Sequence, residues 1–125
     1  MTIAKIMKKV IVADENISGR MAAKIMSEKE IGSLVIFKDG KILGIITERD
    51  VLRNLSKLDS PVKAIMTKKV ITVDSKEEID IAAELMATNK IKRLPVLEKG
   101  KLVGIITATD IIANAEEINE DFFFE

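Results

Sequence analysis

The 125-residue chain contains no Cys, His, Trp or Tyr, and only two Pro and six Gly. Zero cysteine excludes a disulfide framework and thiolate metal sites. With His, Cys and Tyr all missing, no side chain has an ordinary pKa suited to proton transfer near neutrality. Neither a G-x-x-x-x-G-K-[ST] loop nor a G-x-G-x-x-G fingerprint occurs. A protein that is not an enzyme, with no catalytic residue, metal or cofactor, is therefore expected. No apolar run approaches the ~18 residues that span a bilayer, and the N-terminus lacks a signal-peptide pattern. These absences predict a cytoplasmic protein with no membrane partner. An excess of one charge sign is also missing, since 20 Lys and Arg balance 20 Asp and Glu. The balance hides a split of +5 over residues 1–115 and −5 over the last ten. A mildly cationic body suits a small anionic ligand. Without an aromatic stacking platform it is too weak to predict nucleic-acid binding.

What is present is a repeat. Gly44-Ile45-Ile46-Thr47-Glu48-Arg49-Asp50 returns as Gly104-Ile105-Ile106-Thr107-Ala108-Thr109-Asp110, and Lys8-Lys9-Val10-Ile11 returns as Lys68-Lys69-Val70-Ile71. Asp14, Met26, Ile31, Leu34 and Asn54 recur at Asp74, Met86, Ile91, Leu94 and Asn114. Two copies of a long period describe a duplicated small domain rather than a solenoid. A half of about 60 residues buries too little surface to stand comfortably alone, so the copies are expected to share a core. The predicted division is 1–58, 59–118 and an acidic, Phe-rich tail at 119–125.

Each copy reads strand–helix–strand–strand–helix. Val10-Ile11-Val12 predicts a short buried strand, and Ile17, Met21, Ala22, Ile25 and Met26 fall at helical spacing behind cap candidates Asp14-Glu15-Asn16. Leu34 to Phe37 is apolar throughout, as a strand covered on both faces would be. Asp39-Gly40 signals a hairpin turn into Lys41–Ile46. A helix then follows from Thr47 to about Lys57, with Val51, Leu52 and Leu55 on its apolar side. In the second copy, Ser75 and Glu78 have capping-box spacing ahead of Ile79, Ala82, Ala83 and Met86. Pro95 within Leu94–Leu97 predicts a strand start or an edge. Lys99-Gly100 turns the second hairpin, and a last helix is expected from Thr107 to about Ile118. Leu58–Lys63 connects the copies. Phe122-Phe123-Phe124 is expected to dock on the body or on a neighbouring subunit.

The repeated polar residues have two readings. At a strand-to-helix junction, backbone N–H groups and the helix dipole favour phosphate, and the Thr hydroxyl can donate to it. An ionised Asp one turn later only accepts hydrogen bonds, which suits the hydroxyls of a ribose. Thr-x-x-Asp is equally a capping signature, and for one isolated copy capping is the plainer reading. Its recurrence in matching surroundings strengthens the binding reading. Gly44 and Gly104 would let a ring or another backbone approach closely, or mark a bulge. Lys92-Arg93 lies where phosphate could sit, whereas the first copy has Gly32-Ser33. Asp50 and Asp110 could act as catalytic carboxylates only if brought together, and their repeat-related placement assigns them to separate sites.

Ala64-Ile65-Met66-Thr67, Ile91-Lys92-Arg93-Leu94-Pro95-Val96 and the two Gly-Ile-Ile-Thr-x-x-Asp stretches resemble the cystathionine-β-synthase (CBS) domain family in its tandem form, the Bateman module. The resemblance covers about Ile3 to Asn114. It implies an α/β (α+β) fold of two β-α-β-β-α repeats packed through their sheets with pseudo-two-fold symmetry. It also implies adenosine nucleotides in clefts between the repeats, and dimerisation. Carried over residue by residue, Asp50 and Asp110 would hold ribose hydroxyls, Thr47 and Thr107 would contact phosphate, and Ile45 and Ile105 would lie near the base. Lys92, with Arg93, would meet the phosphates of the second site. Met7 and Met66-Thr67 would line the opposite walls. The expected protein is a stand-alone regulatory, nucleotide-sensing module for AMP first, then ADP or ATP. It would form a homodimer and signal to an effector protein. The alternatives are S-adenosylmethionine binding and a ligand-free module for protein assembly.

Overall fold

The structure, a computed structural model, describes residues 1–116; the expected Phe-rich tail and the end of the last helix lie outside them. The elements are α1 (Ile3–Ile6), β1 (Val12–Ala13), α2 (Gly19–Lys29), β2 (Ser33–Lys38), β3 (Lys41–Thr47), α3 (Glu48–Arg53), β4 (Val73–Asp74), α4 (Ile79–Asn89), β5 (Arg93–Glu98), β6 (Lys101–Thr107) and α5 (Ala108–Ala113). Short 3-10 turns at Leu55–Lys57 and Val62–Ala64 lie between α3 and β4.

The chain forms an α/β fold of two compact β-α-β-β-α units. The first is Val10–Val70; the second joins Met1–Lys9 to the segment beginning at Ile71. The repeats of the sequence and the units of the fold are thus offset, because each unit takes its leading segment from ahead of the other repeat.

In the first unit, β2 pairs parallel with β1 and antiparallel with β3. β2 is central, which explains its unbroken apolar run: Leu34, Val35 and Ile36 are all buried. Asp39 and Gly40 both have positive φ, 51° and 78°. This is the backbone of a two-residue hairpin turn whose twist matches the strands. Ala22 and Met26 of α2 join Leu34, Ile36, Ile46, Val62 and Ile65 in the core. The expected connector is therefore structural: Val62 is fully buried, and Gly19 N donates to Ser60 O at 3.0 Å.

The second unit repeats the plan in the order β4-β5-β6. Its core gathers Ile3, Ile6, Val73, Ile79, Ala82, Met86, Leu94, Val96 and Ile106. α1 is only four residues long, yet Ile3 and Ile6 are both buried. The N-terminal segment is pinned where Met1 O accepts from Ile79 N and the Met1 ammonium meets Glu78 Oε2 at 2.8 Å.

Several expectations are corrected. The strand expected to be buried at Val10–Val12 is Val12–Ala13, and Val12 is half exposed. Ser18, rather than Asp14 to Asn16, caps α2 by accepting from Met21 N; Asp14 Oδ1 instead accepts from Asn16 N in a local turn. Glu78 caps α4 without a side-chain bond, while Ser75 is buried and donates to Glu98 Oε1 at 3.3 Å. The expected capping box is absent because those two side chains are engaged elsewhere. Pro95 lies on a central strand. Its missing N–H costs the ladder one bond: the equivalent Val35 N donates to Ile11 O at 3.1 Å, whereas β4 pairs only with Val96 and Leu97. The helix expected from Thr47 to Lys57 stops at Arg53. Leu52 and Leu55, expected on its apolar side, are 69% and 62% exposed.

Lys38 Nζ donates to Glu15 Oε1 at 3.1 Å, and this bond and charge raise the Lys38 pKa above its ordinary value. Among the described residues, no helix is long and apolar enough to cross a membrane.

Candidate functional site

The two Thr-x-x-Asp motifs lie at the β3–α3 and β6–α5 junctions. Both form capping boxes: Asp50 N donates to Thr47 Oγ1 at 3.2 Å and Thr47 N to Asp50 Oδ2 at 3.0 Å. The corresponding bonds at Thr107 and Asp110 are 3.1 Å and 2.9 Å. The capping chemistry weighed against binding is therefore real. It also engages amides that a phosphate would need: besides Asp50 N and Asp110 N, Glu48 N donates to Gly32 O and Ala108 N to Lys92 O. Thr107→Ala is expected to cost about 1 kcal/mol in denaturant unfolding, the usual worth of such a cap, with Thr107→Ser nearly neutral. Equal losses from both substitutions would deny the hydroxyl this role.

Capping does not use every polar atom. In the first unit, residues 66–67 run against β3, with Ile45 N and Thr67 N each donating to the other residue's carbonyl at 2.9 Å. Thr67 Oγ1 then donates to the Asp50 carboxylate, 3.1 Å from Oδ1 and 3.3 Å from Oδ2. Thr47 Oγ1 donates to Asp50 Oδ2 at 3.1 Å. Ile45, Thr47, Asp50, Met66 and Thr67 are thus assembled in one place.

In the second unit, residues 7–8 take the same course along β6. Lys8 occupies the place of Thr67 and pairs with Ile105 at 2.8 and 3.0 Å. Asp110 is only 7% exposed, and its Oδ1 accepts no hydrogen bond among the described residues. Thr107 Oγ1 accepts from Asp110 N but donates to nothing described. No sealed side-chain N or O among the described residues lacks a partner, so Asp110 Oδ1 is not fully closed off. Lys92 is exposed immediately before β5, and half-buried Arg93 pairs with Thr107 across the ladder. Ile105, Thr107, Asp110, Lys92 and Arg93 therefore lie together in the second unit.

Gly44 and Gly104 face these leading segments. A Cβ on Gly44 would lie 2.6 Å from Met66 Sδ and 2.8 Å from Thr67 O; on Gly104 it would lie 2.9 Å from both Met7 Sδ and Lys8 O. The close backbone approach expected of both glycines is present.

Sequence reasoning missed two features. Asn54 and Asn114 fix the motif from behind, each side-chain amide donating to the Asp main-chain oxygen four residues earlier at 2.7 and 2.8 Å. Their recurrence one helical turn after each Asp was the available signal. Lys8 was also missed, because Thr67 interrupts the otherwise regular repeat. A separate open groove of about 500 Å³ runs between α2 and α3, walled by Ala23, Met26, Ile31, Val51 and Leu52 with Glu30 and Glu48. None of the candidate residues lines it. Among the described residues, no three His, Cys, Asp or Glu are grouped to hold a metal.

The CBS domain model matches residues 3–57 and 62–117, nearly the whole chain. The chain belongs to the CBS domain family. An uncharacterized 17.7 kDa protein of Acidianus ambivalens is 39% identical over 107 residues, covering 82% of this chain and 65% of its own length. The chain spans under two thirds of the curated relatives it matches first, at 65%, 36% and 19% of their lengths. The CBS domain pair of protein MJ0100, in complex with 5′-methylthioadenosine and S-adenosyl-L-methionine, superimposes with a TM-score of 0.87 at 34% identity, covering 94% of this chain and 98% of that one. CBS domain protein PAE2072 from Pyrobaculum aerophilum, complexed with AMP, gives 0.86 at 25% identity, covering 96% and 97%.

Proposed function

We propose that this CBS pair is a regulatory module that binds an adenine nucleotide, AMP before ADP or ATP, and transmits its occupancy to a cytoplasmic effector protein. The observation that carries the reading is Asp110: a carboxylate 7% exposed, with one oxygen held by Thr107 N and the other without a described partner. An acceptor-only group of this kind suits a diol. Thr107 supplies a hydroxyl donor beside it, Ile105 an apolar wall for a base, and Lys92 with Arg93 the cationic side for phosphate. The AMP complex of a similar fold supports this assignment. In the first unit, Thr47, Asp50, Ile45, Met66 and Thr67 form the related arrangement.

A second reading is S-adenosylmethionine or its methylthioadenosine relative. The complex with both ligands favours it, being more similar in sequence to this chain than the AMP complex is. Adenosine recognition is common to both readings, and only the phosphate or sulfonium side differs. A third reading, assembly without a ligand, is favoured by the α2–α3 groove and by Leu52, Leu55 and Ile112, the last 73% exposed. Homodimerisation belongs with any of these.

Calorimetric titration of ligand-stripped protein with AMP, ADP, ATP and S-adenosylmethionine separates them. Tighter binding of AMP than of S-adenosylmethionine is expected, read from the fitted dissociation constants. The reverse order selects the second reading, and no heat from any ligand leaves the third.

A further inference from the structure

The duplicated motifs differ in what their polar atoms already hold. In the first unit the Asp50 carboxylate receives three donors: Thr47 N, the Thr47 hydroxyl and the Thr67 hydroxyl. In the second, Asp110 receives Thr107 N alone, and the Thr107 hydroxyl keeps its proton undonated among the described residues. The cause is one residue of sequence. Thr67 stands between Met66 and Lys68, whereas Met7 is followed directly by Lys8, so the place opposite Ile45 holds a hydroxyl and the place opposite Ile105 a lysine.

We infer that Thr67 acts as an internal surrogate for a ribose hydroxyl, filling the Asp50 acceptor so that the chain takes one nucleotide, in the second unit. This rests on the nucleotide reading above and adds which site is used and what decides it. A hydroxyl 3.1 and 3.3 Å from the two carboxylate oxygens has the geometry of a diol hydroxyl on that carboxylate. A ligand at Asp50 would have to displace a bond already made within the unit, and such an exchange gains little. At Asp110 the acceptor is open and no protein bond need break. The charges lean the same way: Lys8 pairs with Ile105 and Lys92 O accepts from Ala108 N, placing two lysines beside the second motif where the first unit has Thr67 and Gly32, against a single Arg49 in place of Thr109. A phosphate is therefore attracted to the site whose sugar acceptor is free.

The test is AMP titration followed by calorimetry on the full chain, reading stoichiometry and affinity. Wild type is expected to take one equivalent. Asp110→Asn keeps an oxygen for Thr107 N and puts an amide donor where Oδ1 was open, so affinity should fall at least tenfold while the melting temperature holds. Asp50→Asn should change affinity less than twofold. Thr67→Val, which keeps the β-branched shape and removes the hydroxyl, should add a second, weaker equivalent; Thr67→Ser should retain one. Two equivalents in wild type, a tenfold loss from Asp50→Asn, or a single equivalent in Thr67→Val would each overturn the inference while leaving nucleotide binding intact. No heat with any nucleotide would overturn both.

Discussion

Ile106→Ala is expected to lower the unfolding free energy by about 2–5 kcal/mol, the range for deleting a buried branched side chain whose surroundings relax only partly. Ile106 is 0% exposed on β6, opposite Leu94, and packs in a cluster closed by Ile3, Ile6 and Val96. The site is hard to collapse because it is held from several elements: β5 beside it, α4 through Ala82 and Met86, and the N-terminal segment through Ile3. Ile112→Ala is the matched control, since Ile112 is 73% exposed and its removal should cost less than about 0.5 kcal/mol. Urea unfolding followed by circular dichroism reads both. Because the chain has two compact units, the Ile106 effect belongs to the transition of the second unit if the two separate. Similar losses from the two substitutions would show that Ile106 is not the core residue described.

Most of this architecture is written in local pattern. The hairpins at Asp39-Gly40 and Lys99-Gly100 were legible because positive φ at two successive residues demands such pairs. The continuous apolar run at Leu34–Phe37 reads as a central strand because a strand covered on both faces needs no alternation. Some misreadings arise where a partner far along the chain decides, and one is local. Leu52 and Leu55 have helical spacing, but Leu52 lies exposed within α3, and Leu55 follows the helix end at Arg53, past Asn54, whose amide donates to Asp50 O. Glu78 has capping-box spacing, yet the ammonium of Met1, 77 residues away in sequence, claims its carboxylate. Pro95 reads as an edge residue because proline cannot donate to a ladder, yet β5 is paired on both sides, by β4 at Val96 and Leu97 and by β6. Nor does a repeat alignment show that Met1–Lys9 packs with the second copy.

The candidate site was legible as an arrangement through duplication. A single Thr-x-x-Asp is explained by capping, and the structure contains that cap twice. What sequence could not supply was the occupancy of the remaining atoms. That depends on Thr67, which reaches Asp50 only because its segment is held along β3 by two main-chain bonds. The same insertion that blurs the repeat alignment distinguishes the chemistry of its two copies.

That segment also fixes the second large effect. Gly44→Ala is expected to cost about 3 kcal/mol, at the upper end for forcing atoms into a filled site. The new methyl would lie 2.6 Å from Met66 Sδ and 2.8 Å from Thr67 O. The thioether can swing aside, but the carbonyl cannot, because Thr67 O accepts from Ile45 N while Thr67 N donates back to Ile45 O. Relief therefore requires the 66–67 segment to lift from β3, which breaks that pair and withdraws the Thr67 hydroxyl from Asp50. Gly40→Ala provides the contrast: its φ is +78°, but a Cβ there meets nothing within 4 Å. It should lose only the left-handed conformational preference, about 1–2 kcal/mol. Chemical denaturation of the two variants side by side checks the argument. If Gly44→Ala proves no costlier than Gly40→Ala, the close approach is not what demands glycine at position 44.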